Sequence, residues 1–192
     1  MAAVSDYTLK ARISGSGDTL AIDYQFTNGG AGPVLVTNKI WRMVEGKAKI
    51  DPDFVYAHVN SDGLLAIYKT MPNIPEGKSP TNLVAPYMTK VESGDRLSES
   101  ITLQLPLLPY QEYFNNEPAE DSDGNKLVQT VKEVAFGLAF FVPPEGSKIW
   151  NEKAFGENVD LFHNPPGKRA QYGVLWSERF KVSVPVYRRK EA

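Results

Sequence analysis

One stretch, Val131 to Val142 (VKEVAFGLAFFV), limits what this chain can fold into more than any other. At a period of two, Val134, Phe136, Leu138, Phe140 and Val142 fall on one side, and Ala135, Gly137, Ala139 and Phe141 on the other. One face is bulky and the other is small. No charge follows Glu133, so the segment has little to offer water and is expected mid-sheet with both faces covered. The bulky face should meet either the row Leu20, Ile22, Tyr24, Phe26 or the row Ile101, Leu103, Leu105. The small face should be covered by the aromatic segment that follows, with Trp150 and Phe155 as fillers.

The remaining strands are arranged around that centre. Tyr7, Leu9, Ala11 and Ile13 alternate with polar residues, and Gly15 to Asp18 turns the chain into Leu20, Ile22, Tyr24 and Phe26, a hairpin with one wet face. Asn28 to Pro33 breaks the pattern, and a third strand is expected over Val34 to Met43. Glu45 to Asp53 reads as a polar loop. Asp62-Gly63 is expected to join Phe54–Asn60 to Leu64–Lys69 in a second hairpin. Prolines 72, 75, 80 and 86 favour extended, non-sheet backbone. Strands resume at Tyr87 to Val91 and, after a turn at Glu92 to Asp95, at the row Ile101, Leu103, Leu105. Residues 106–125 and 143–170 show no sustained alternation and read as long loops, the latter carrying Trp150, Phe155, Leu161 and Phe162. Tyr172 to Trp176 and Arg179 to Val186 close the chain, and Pro185 places the last strand at an edge. About nine strands without a long amphipathic helix predict an all-β fold: a single antiparallel β-sandwich, immunoglobulin-like or jelly-roll, forming one domain over residues 1–192.

The segments DTLAIDYQFTNGGAGPVLV at Asp18 to Val36 and VESGDRLSESITL at Val91 to Leu103 are similar to parts of bacterial immunoglobulin-like β-sandwich domains, including the intracellular proteinase inhibitor family. The second segment corresponds to a hairpin in such domains. The resemblance implies the sandwich fold and inhibition as one conceivable activity; no functional residue carries over.

Composition narrows the function. A net charge of −2 provides no field to hold a polyanion, which argues against nucleic acid as a partner. The tail Arg188, Arg189, Lys190 reads as a solvated terminus. With no cysteine, thiolate catalysis and thiolate metal sites are absent. No apolar run approaches the roughly 18 to 20 residues that span a bilayer, so no membrane insertion is expected. The opening MAAVSDY lacks a basic start and an apolar core, so the chain as written reads as soluble and cytoplasmic; one stripped of a leader, and hence periplasmic or secreted, would read the same.

The search for chemistry yields weak constellations. There are two histidines: His58, on a strand face with Phe54 and Tyr56, reads as structural, and His163, in a loop, as solvent-facing. Hydrolysis through either would require a carboxylate or hydroxyl within hydrogen-bond reach. Gly77-Lys78-Ser79 lacks the strand, helix and leading glycine of a phosphate loop. Glu117, Glu120, Asp121 and Asp123 before Gly124 read as a solvated acidic loop, with an irregular calcium site as the alternative. No cofactor or metal is expected.

Loop length remains. If every connection reverses direction, the loops at 45–53, 71–86 and 106–126 share one end of the sandwich, and 143–170 leaves from the other. Tyr110, Tyr113 and Phe114 beside Asn115 and Asn116 have the aromatic and amide mixture of recognition loops, against the alternative that they cap the core. The leading expectation is therefore a non-enzymatic protein-binding module, an inhibitor or accessory subunit. The alternative is a carbohydrate-binding module stacking its ligand on Trp41, Trp150 and Trp176.

Overall fold

The computed structural model describes residues 6–81 and 83–190. Its first two strands, β1 (Tyr7–Ser16) and β2 (Thr19–Asn28), pair in register from Tyr7–Asn28 to Ser16–Thr19, as the alternation dictates. On the other side of β2 lies β9 (Arg96–Gln104), completing a three-stranded antiparallel sheet. The intervening chain builds β3 (Val34–Lys39), β4 (Trp41–Val44), β5 (Lys47–Ile50), β6 (Tyr56–Val59), β7 (Leu64–Lys69) and β8 (Tyr87–Val91). After β9 come β10 (Val128–Val142), β11 (Lys148–Ala154), β12 (Glu157–His163), β13 (Gln171–Trp176) and β14 (Phe180–Tyr187). The chain is all-β, with no described helix long and apolar enough to cross a membrane.

β10, the predicted centre, is the hub of a nine-stranded sheet. One of its edges pairs first with β14 and then with β13. The other pairs first with β7, in parallel, and then with β3. A strand with four partners needs a splice on each edge, and one hydroxyl serves each. Thr37 Oγ1, fully buried, donates to Lys69 O at 3.1 Å and Ala139 O at 3.0 Å where β7 gives way to β3. Ser177 Oγ accepts from Phe136 N at 3.0 Å where β13 gives way to β14. Beyond β3 the sheet runs through β8 and β12 to β11; beyond β7 it ends at β6.

The two sheets face each other across one core, giving a sandwich-like layering. From the small sheet, Leu20, Ile22, Tyr24 and Phe26 point inward; from β10, Val134, Phe136, Leu138 and Phe140 do the same. Both predicted inward rows contribute, since Ile101 and Leu103 join the cluster. Tyr24 meets Phe136 at 4.8 Å between ring centroids and Phe26 meets Phe140 at 5.4 Å. Lys69 is fully buried in this layer, its Nζ donating to Asn38 O at 3.0 Å and Pro52 O at 2.7 Å. Asn38 Nδ2 in turn donates to Glu99 Oε1 at 2.6 Å, and the Tyr24 hydroxyl donates to the other Glu99 oxygen. Burial drives the Lys69 ammonium below the ordinary lysine range, against the pull of nearby carboxylates.

Several expectations require correction. Among the described residues fourteen strands are present rather than nine, and the β7–β10 pairing makes the large sheet mixed rather than antiparallel. The Val34–Met43 strand is two strands, and the loop at 45–53 contains β5, closed onto β4 by Glu45 and Gly46, both at positive φ. The 143–170 loop is mostly the β11–β12 hairpin, turned by Phe155 and Gly156, also both at positive φ. β8 and β9 do not form a hairpin: Val91 pairs with Val34 of the large sheet, while Arg96 pairs with Thr27 of the small one. Trp150 and Phe155 do not fill the small face of β10: Phe155 meets Trp41 and Tyr87 at 5.6 and 5.9 Å, and Trp150 stands on β11, separated from β10 by β12, β8 and β3. Trp176 covers it instead: a β-carbon on Gly137 would stand 2.9 Å from three atoms of that indole.

Candidate functional site

The long loops at 71–86 and 106–126 meet, although not every connection reverses direction as expected: β7 is parallel to β10, and β8, antiparallel to a β3 that is itself antiparallel to β10, runs the same way as β7. The Val84 N–H donates to the Tyr113 hydroxyl at 2.6 Å and Lys78 Nζ to Tyr113 O at 2.8 Å. The β4–β5 hairpin joins them, and together the three segments enclose a concavity of about 580 Å³ lined by Trp41, Arg42, Met43, Val84, Leu108 and Tyr110. Two of its lining residues are exposed apolar side chains, Met43 at 60% and Leu108 at 41%. The Arg42 guanidinium is fixed by Asp51 at 2.6 Å and stands 5.3 Å over the Phe54 ring.

The five predicted loop residues divide between building this surface and forming it. Tyr110 meets Phe54 at 5.2 Å in a tilted contact and stacks near-parallel on Tyr56 at 6.3 Å, and its carbonyl accepts from Ala57 N at 2.8 Å. Burial, reinforced by the Glu112 carboxylate that its hydroxyl meets at 3.2 Å, pushes its phenol up to about 12. Tyr113 sits at positive φ and ties the two loops together. Asn116 binds its own loop: Oδ1 accepts from Gln111 N, and Nδ2 donates to Gln111 O and Phe114 O. Asn115 Oδ1 accepts from Glu117 N. Phe114, at 36%, and Asn115 are the two of the five that are exposed, at the outer end of the loop.

What stiffens the loop lies in the tail expected to be solvated. Arg189 donates from Nε and Nη2 to Asn115 O at 3.0 and 2.5 Å and from Nη1 to Gln111 Oε1 at 2.6 Å. Its guanidinium stands 5.5 Å over the Phe114 ring. A basic terminus gives no sequence sign of such a role, because the partners are one backbone carbonyl 74 residues away and one side-chain amide 78 residues away. The acidic loop is likewise self-contained. Asp121 Oδ1 accepts from Asp123 N and Asn125 N, which holds its carboxyl below the usual range, and no described group of acids and histidines is arranged to hold a metal.

The three indoles do not share a platform. Trp41 packs with Tyr87 against Ile50, Ala154 and Val159, and its Nε1 donates to Ala85 O at 3.2 Å. Trp150 pairs with Leu161 on β12, next to Phe162, whose ring meets Phe141 at 5.6 Å on the opposite face. Trp176 pairs with Gly137, which shares Phe141's face. Trp150 and Trp176 therefore point to opposite sides of the large sheet. Among the described residues, neither His58 nor His163 hydrogen-bonds a carboxylate or hydroxyl, and His58 Nδ1 is buried without a partner. No protein-family model, curated protein or solved structure matches the chain.

Proposed function

We propose that the chain is a non-enzymatic recognition module, an immunoglobulin-like sandwich that binds another protein through its loop-bearing end. The supporting observation is the pair of exposed apolar side chains, Met43 and Leu108, lining a concavity whose framework is already fixed by Tyr113, Asn116 and Arg189. Apolar anchors on a stiff frame lose little entropy on binding, and methionine, aromatic and arginine side chains are the types enriched in interface centres. Tyr110 and Tyr113 are framework, so the informative variants are those that leave them intact.

The test is a paired charge substitution, Met43→Asp with Leu108→Asp, carried through affinity capture and crosslinking from the native host. A partner held by the wild-type chain and by Lys10→Glu, on the three-stranded sheet, should be lost from the double variant. Capture that is indifferent to the double substitution removes the loop end from consideration.

A further inference from the structure

The outer face of the nine-stranded sheet holds a second concavity, a trough of about 370 Å³ that shares no lining residue with the loop-end surface. Its floor exists because Gly137 has no side chain. The hypothetical β-carbon at Gly137 is 2.9 Å from Cε3, Cζ3 and Cη2 of Trp176 alike, so the six-membered ring lies face down on the strand rather than edge on. The opposite ring face is turned outward, and the residue is 48% exposed. Tyr68, which flanks Gly137 on β7, stands as a wall, 6.1 Å from the indole at an interplanar angle of 62°. Tyr172, four residues earlier on the same face of β13 and 42% exposed, extends the apolar floor by about 13 Å.

The groups around the floor are polar but uncharged: the lining contains no aspartate, glutamate, lysine or arginine. His58 lines the trough with its Nδ1 buried and unpartnered, and burial, with a smaller push from Arg189, lowers the proton affinity of the ring against the raising effect of the Asn60 side chain. Gln111 Nε2 donates to the Tyr68 hydroxyl at 3.1 Å, and its Oε1 is held by Arg189, which orients the amide. Trp176 Nε1 donates to none of the described residues, whereas the Nε1 groups of Trp41 and Trp150 are both engaged.

A flat electron-rich floor edged by neutral donors and acceptors matches a ligand with polarised C–H groups on one face and hydroxyls around its rim. An anionic ligand would find no counter-charge in the lining. A polyproline segment fits grooves between upright rings, and this indole lies flat. We propose that the trough binds a neutral glycan, with one hexose ring stacked on Trp176, a neighbouring unit over Tyr172, and hydroxyls reaching His58 and the Trp176 N–H.

The test is isothermal titration calorimetry of the full chain with cellohexaose, laminarihexaose and mannohexaose, beside hexagalacturonate and decaproline. At least one neutral hexaose should bind saturably, and the acidic one should not. Trp176→Ala should abolish that binding. Because this change uncovers Gly137 and can disturb folding, Tyr172→Ala, at an exposed ring, is the second variant and should weaken binding about tenfold. Trp150→Ala, on the other face, should leave it unchanged. The proposal is overturned if no neutral hexaose binds at millimolar concentration, if either trough variant binds as the wild type does, or if hexagalacturonate or decaproline binds as well as or in place of the neutral sugars.

Discussion

The two faces of β10 share one backbone and differ in what covers them. On the inner face, Val134, Phe136 and Leu138 are fully buried against a second sheet, in ring contacts that leave no latitude. On the outer face, Ala135 and Ala139 are just as inaccessible, yet Gly137 is covered by a single indole from the neighbouring strand, half of it in solvent. The inner face also hides a cation, Lys69, whereas the outer trough is uncharged. Equal burial of a strand thus conceals unequal commitment: opposed sheets lock residues in place, while a ring lying flat on glycine can be displaced.

The largest expected break in this contrast is Phe136→Ala. It should cost about 3–5 kcal/mol, read from urea unfolding, because a ring buried between two sheets leaves a cavity that neither can fill. A loss under about 1.5 kcal/mol, the level of a volume-conserving swap, would deny that the inner face is rigid. Thr37→Val keeps the shape but strips the hydroxyl from two buried carbonyls, Lys69 O and Ala139 O, and should cost about 1–3 kcal/mol. Hydrogen exchange should show the loosening where β10 passes from β7 to β3; unchanged protection there would show that the splice does not depend on this hydroxyl.

Gly137→Ala sharpens the comparison from the outer side. The added methyl must push the indole off its bed, but an exposed ring can tilt away, so the cost should be about 1 kcal/mol, at the low end of overpacking. Tryptophan fluorescence should shift to the red while the fold persists; an unshifted spectrum would mean that the indole does not rest there. The smallest effect concerns Lys69. Its pKa is lower in the folded chain than in the unfolded one, so between the two values the unfolded chain binds more protons and stability rises with pH. The wild-type chain should therefore gain on Lys69→Met as pH climbs toward the ordinary lysine range, measured as the difference in urea midpoints. A difference independent of pH would contradict a desolvated ammonium.

Legibility followed the contrast between wet and dry faces. Where one face is dry and the other wet, as in β1 and β2, alternation located the strands and their turn; where both are dry, as in β10, the uncharged run did so. The β11–β12 hairpin has neither pattern: KIWNEKA is exposed at Lys148, Trp150 and Asn151 to Lys153, so it reads as loop although it pairs residue for residue. Of the candidate site, the length of the loops at 71–86 and 106–126 was readable, but the route of the first was not, because β7 and β8 run in the same direction and the connection between them does not simply reverse. Which rings build and which are displayed was not, since Tyr113, Asn116 and Arg189 take their roles from hydrogen bonds across the loop. Trp176 over Gly137 could have been sought as a large ring able to sit beside a glycine in a central strand, but the pairing partner of β10 at that point depends on register, which one sequence does not specify.

The two splices also set an order of events as the chain is made. Strands β3 and β7 both dock on β10, which begins only at Val128, so a growing chain has made both long before the strand that joins them exists. The β1–β2 hairpin and its partner β9 are complete by Gln104, giving an apolar surface with nothing opposite. Until β10 emerges, the nascent chain carries two unsatisfied edges and one uncovered layer, the condition in which β-rich chains associate wrongly. A ribosome-bound chain cut short before Val128 is therefore the form of this protein most in need of a chaperone.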